Sequence, residues 1–90
     1  YEKFFADKDI NFVKEPENAK ANYWLNAVIL QNRKTRDEFL NVTNDAGTMT
    51  RPIWQLMNRL EMFASCQLGD LTNAYWLEDR VVNIPSGVRL

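Results

Sequence analysis

The chain has 90 residues, 46% of them hydrophobic, with eleven Lys and Arg against twelve Asp and Glu and a net charge of -1. A chain of this length forms one small domain, residues 1–90, that buries about two-thirds of the surface its unfolded form exposes. Its charge balance argues against a cationic face for nucleic-acid phosphates. The complete lack of histidine removes the commonest general base and most zinc or iron sites.

Residues 1–8 carry Tyr1, Phe4 and Phe5 among charges, a spacing that suits the end of a linker helix whose beginning lies upstream. The missing initiator Met likewise points to a piece of a longer protein. Residues 10–13 alternate polar with apolar as a short strand, closed by the loop signal Glu15-Pro16-Glu17-Asn18. The stretch from Asn22 to Leu30 carries the clearest strand pattern. Tyr23, Leu25, Ala27 and Ile29 point to one face and Trp24, Asn26, Val28 and Leu30 to the other, as in a central strand covered on both sides. Core or interdomain packing is the reading for Tyr23 and Trp24. Its longest apolar run, Ala27 to Leu30, is far below the roughly 18 residues of a membrane span.

Thr35-Arg36-Asp37-Glu38 has the form of a capping box, and Phe39, Leu40, Thr43 and Ala46 follow at helical spacing before Gly47 ends the helix. Residues 48–51 read as a strand ended by Pro52. From Ile53 to Gln67 the apolar residues lose any clean period, which predicts a partly helical excursion. Met57, Met62 and Phe63 within it read as a patch against another domain. Asp70 or Thr72 can cap a last helix, and residues 83–87 close the domain as an extended segment and turn. The order strand, strand, helix, strand, helix, strand gives an α+β class: a small antiparallel sheet with helices packed on one face. Cys66 is the single cysteine, so no internal disulfide can form, which fits a reducing, cytoplasmic compartment.

Four segments in order carry a resemblance: Asn22-Tyr23-Trp24-Leu25-Asn26, Arg36-Asp37-Glu38-Phe39-Leu40, Thr50-Arg51-Pro52-Ile53-Trp54 and Val82-Asn83-Ile84-Pro85-Ser86. Together they are similar to the C-terminal small domain of the DegT/DnrJ/StrS aminotransferases, fold-type I enzymes, and within them to the branch acting on nucleotide-linked 4-keto sugars on routes to bacillosamine and legionaminic acid. The resemblance implies a homodimer with pyridoxal 5'-phosphate held by a Schiff-base lysine of a missing N-terminal domain. It implies a nucleotide-sugar substrate, glutamate as amino donor, and a C-terminal domain that walls the sugar pocket. No cofactor is expected on this piece alone, no catalytic residue and no metal. Many relatives carry Tyr and Pro-Leu-His after the second strand. Here Trp54 takes the Tyr position and Asn58 that of the His, and an amide can still bond sugar hydroxyls.

Arg51, Trp54 and Asn58 are therefore the candidate substrate-binding residues. Arg51 is either an anchor for phosphate or carboxylate, or one half of an ion pair with Asp45 or Glu61. Trp54 is either a stacking wall or interdomain core. Asn58 and Arg59 either reach ligand or sit solvated on a loop. Lys3, Lys8, Lys14, Lys20 and Lys34 all stand in polar contexts that do not promise the burial an imine-forming lysine needs. Two other functions stay open beside the aminotransferase piece: a stand-alone α+β binding or dimerisation module, and a purely structural interaction domain.

Overall fold

The structure, a computed structural model, describes residues 1–88. Four strands form one sheet: β1 (Asn11–Phe12), β2 (Asn26–Ile29), β3 (Arg51–Pro52) and β4 (Val81–Ile84). Their order is β1-β2-β4-β3 and every neighbouring pair is antiparallel. Three helices accompany them, α1 (Glu2–Phe5), α2 (Arg33–Asp45) and α3 (Thr72–Glu78). The α+β expectation with an antiparallel sheet is what the chain adopts.

The long central strands β2 and β4 pair over four residues, with Val28 opposite Val82 and Asn26 opposite Ile84. Because side chains alternate across a strand, Val28, Leu30, Val82 and Ile84 share one face. There they form the core with Phe5 of α1, and Phe39 and Leu40 of α2 pack against them, as do Ile10 and Phe12. Val28 and Val82 are fully buried. The opposite face, bearing Leu25, Ala27, Ile29 and Asn83, is only partly covered. The sheet is thus one-sided near β2, where two covered faces were expected.

The strand also starts later than its composition predicts, at Asn26 in place of Asn22. Tyr23 has φ +49°, which no strand residue adopts, and the Asn22 side chain accepts the Trp24 N–H at 3.0 Å to close a local turn. The short β1 pairs with residues 28 and 29, and the Val13 amide adds one bond to the Ala27 carbonyl, so residues 22–25 have no strand neighbour to extend them. Trp24 is 74% exposed as a result, which removes the core alternative for it and leaves interdomain packing. Tyr23 is half-buried, stacked on Phe12 with ring centroids 6.3 Å apart.

The helix start differs by three residues. Asn32 is the N-cap of α2, its side chain accepting the Thr35 N–H at 2.9 Å, so Thr35 lies inside the first turn. Asn caps as well as Thr does, and this start directs Arg36 inward, where it is 9% exposed. Gly47 ends the helix as expected. β3 begins at Arg51 and includes Pro52, which is tolerated because β3 pairs on one side only. Residues 53–67 form two 3-10 turns, Met57–Arg59 and Glu61–Phe63. For α3, the Asp70 carboxylate accepts the Thr72 amide and hydroxyl at 3.0 and 2.6 Å. No helix among the described residues is long and apolar enough to cross a membrane.

Candidate functional site

Arg51 owes its place to buried hydroxyl chemistry just before it. Thr50 is 2% exposed, and its hydroxyl meets that of Thr43 at 2.6 Å and accepts from the Asn44 amide at 3.0 Å. The same amide donates to the Thr50 carbonyl at 3.2 Å, so the end of α2 holds residue 50 by both backbone and side chain. Burying polar groups in this way is tolerable only because each is bonded. Three residues on from Thr50, the Ile53 amide donates to the Val81 carbonyl at 3.1 Å and continues the β3–β4 ladder. Arg51 and Ile53 are therefore laid along β4 with little freedom.

On the sheet face opposite the α1–α2 core, these residues border a cleft of about 460 Å³. Its lining is Leu25, Arg51, Pro52, Ile53, Trp54, Gln55 and Asn83. The Trp54 ring is 67% exposed there. Arg51 is exposed, and one guanidinium nitrogen donates to the Thr50 carbonyl at 3.2 Å. Among the described residues Arg51 forms no ion pair, so neither Asp45 nor Glu61 is its partner. The remaining donors of its planar fork are open for an anionic or hydroxylated ligand. A flat ring beside a guanidinium and an apolar floor can hold a sugar or base against a phosphate.

Asn58 does not line this cleft. Its amide donates to the Tyr75 hydroxyl at 2.8 Å, and Asn58 is half-buried. Arg59 is similarly engaged: its Nε pairs with Glu78 at 2.7 Å and its guanidinium lies 4.8 Å over the Tyr75 ring. The structure thus brings Arg51 and Trp54 together and turns Asn58 toward α3. Met57 and Met62 are exposed and Phe63 is half-buried.

A second cleft, of about 370 Å³, has three arginines, Arg33, Arg36 and Arg59, on its walls. It is neutralised from within. Arg36 gives two donors to Asp37 and one to the Glu78 carbonyl, and Arg59 is paired with the Glu78 carboxylate. The burial of Glu78 is what sequence reasoning missed; a Glu at the end of a helix reads as surface charge, and no local pattern reports its 9% exposure. Among the described residues, no group of three or more His, Cys, Asp or Glu is placed to hold a metal ion.

Comparison with known families gives the chain its class. The DegT/DnrJ/EryC1/StrS aminotransferase family model matches residues 1–90, so the chain belongs to that family. No curated protein matches it. The family's enzymes depend on pyridoxal phosphate, whose aldehyde is bonded to a lysine amine kept neutral by burial or a cationic neighbour. All five lysines here are exposed. Lys8 pairs with Asp7 at 3.3 Å and Lys14 with Glu2 at 2.6 Å. Lys3, Lys8 and Lys14 do border an open cleft of about 510 Å³ beside α1, but each faces water. The described residues do not fit the cofactor's site.

Proposed function

We propose that this chain is the C-terminal small domain of an aminotransferase that moves an amino group from glutamate to a nucleotide-linked 4-keto sugar. The cofactor lysine then belongs to an N-terminal domain, and Glu2–Phe5 to the end of the linker between them. The intact enzyme is a cytoplasmic homodimer in this reading, and the substrate branch is that of bacillosamine and legionaminic acid. The observation that carries the proposal is the pairing of Arg51 and Trp54 on one cleft of a chain matched throughout by the family. In that cleft Arg51 takes an anionic or carbonyl oxygen and Trp54 a flat face of the substrate. Asn58 contributes from the rim, by holding the segment and through whatever capacity its amide retains. The exposed Met57 and Met62 are covered by the N-terminal domain.

The test uses the intact enzyme and reads aminated product by mass from a panel of nucleotide 4-keto sugars. Losing one charge-assisted contact, or one well-stacked ring, is worth on the order of 10-fold, so Arg51→Ala and Trp54→Ala should each raise the sugar KM by about that factor. The half-reaction with glutamate should stay within about twofold, because uniform binding energy to the sugar is what is removed. Failure of every 4-keto sugar to be aminated, or wild-type sugar KM in both variants, rules the reading out.

A further inference from the structure

We propose that Glu78 is a positioning residue for the substrate wall, acting through Leu56 and Arg59 on the direction of Trp54; this rests on the reading of residues 51–58 as that wall. After Ile53 the chain leaves the sheet, and Trp54 stands between two backbone anchors. One is the Ile53 amide on the Val81 carbonyl at 3.1 Å, and the other is the Leu56 amide on Glu78 Oε2 at 2.8 Å. Packing does not orient the ring, since two-thirds of Trp54 is exposed. The direction in which its Cα–Cβ bond leaves the chain therefore follows from the backbone held at positions 53 and 56.

Glu78 holds the second anchor with both carboxylate oxygens. Oε2 accepts the Leu56 amide and Oε1 the Arg59 guanidinium at 2.7 Å. Its own backbone carbonyl accepts Arg36 Nη1 at 2.8 Å, which ties the end of α3 to α2. A carboxylate this deeply buried is retained only where partners replace its water, and those partners are Leu56 of the wall and Arg59 just beyond it. Tyr75, three residues earlier and on the same side of the helix, takes the Asn58 amide and underlies Arg59. A single helical face thus holds residues 56, 58 and 59. The sheet core lies elsewhere: Phe5, Val28, Leu30, Val82 and Ile84 make no use of Glu78.

The experiment compares Glu78→Gln and Glu78→Ala with Trp54→Ala in the intact enzyme. Gln keeps an acceptor for the Leu56 amide and loses the charge facing Arg59, whereas Ala loses both. Two readouts are taken: sugar KM against the glutamate half-reaction, and amide hydrogen exchange across residues 53–60 against β2 and β4. With one charge-assisted contact worth on the order of 10-fold, E78A should raise sugar KM and Leu56 exchange by about that factor each. E78Q should fall between wild type and E78A on both, with the half-reaction and the β2 and β4 amides unchanged. Parallel loss of both half-reactions with faster exchange throughout the sheet would mean a merely structural role and overturns the proposal. Raised sugar KM in W54A beside unchanged KM in E78A, with Leu56 exchanging faster, also overturns it while leaving the wall intact. Unchanged KM in W54A removes the wall and the positioning role together. Should E78A not fold, E78Q decides alone: wild-type KM with faster Leu56 exchange counts against the proposal, and a raised KM supports it.

Discussion

Gly47 has φ +82° just beyond α2, where the Gly47 amide returns to the Asn44 carbonyl at 3.0 Å and the Thr48 amide to the Thr43 carbonyl at 2.8 Å. That pair of bonds is the Schellman closure, and it requires a left-handed residue. A Cβ added there meets nothing within 4 Å, so only backbone strain opposes a side chain. Gly47→Ala should therefore destabilise the 90-residue chain by about 1–2 kcal/mol, read from the denaturant midpoint at unchanged slope. Gly47 was legible in the sequence because its role is local. Tyr23 was not. Its φ of +49° is sustained by the stack on Phe12, eleven positions away, and by the Glu15 amide donating to its hydroxyl at 3.0 Å. Nothing about a Tyr in an apolar run announces such a conformation, which is why the run read as strand from Asn22 while Trp24 stands outside the core.

At the scale of elements, α2 shows how two good signals compete. Thr35 and Glu38 have the spacing of a capping box, yet Asn32 three residues earlier satisfies the helix's free amides first. The longer helix wins because it adds hydrogen bonds and sends the apolar stem of Arg36 inward, its charge met by Asp37 and the Glu78 carbonyl. Asn32→Ala should accordingly cost about 1 kcal/mol of stability, and Thr35→Ala less, measured in the same titration. A larger loss for Thr35→Ala would restore the capping box. The excursion from Ile53 onward resisted a periodic reading for a related reason. Its two 3-10 turns are too short to show a period, and the first is held by Tyr75 and Glu78 in place of neighbours in sequence.

Across the whole molecule, the lack of histidine has a consequence for pH. No side chain ordinarily titrates between about pH 5 and 8, so stability should be nearly flat there. Below that, two exposed carboxylates matter. The Lys14 ammonium, by hydrogen bond and then by charge, holds Glu2 below its ordinary 4.5, and the Thr72 hydroxyl and amide hold Asp70 below 3.8. A folded pKa lower than the unfolded one gives stability that is complete above the unfolded value and is lost as pH falls through the folded one. The urea midpoint should thus decline as pH drops below about 4.5, and Lys14→Met should remove part of that decline. High salt should have the same effect as Lys14→Met, since both partners are exposed. A midpoint that rises on acidification contradicts this assignment.

The sequence by itself determined the local elements: the alternating core strand at Val28 and Leu30, the helix closed at Gly47, and the family motifs around Arg51 and Trp54. Each depends on residues within a turn or a strand pair of one another. Only the tertiary structure decided which sheet face stays open and where the wall segment is fastened. Arg36 and the Glu78 carbonyl are 42 residues apart, and Leu56 and the Glu78 carboxylate 22. Periodicity and capping rules reach three or four positions along the chain. A buried carboxylate chooses its partners by what the fold brings to it, and that choice is made in space.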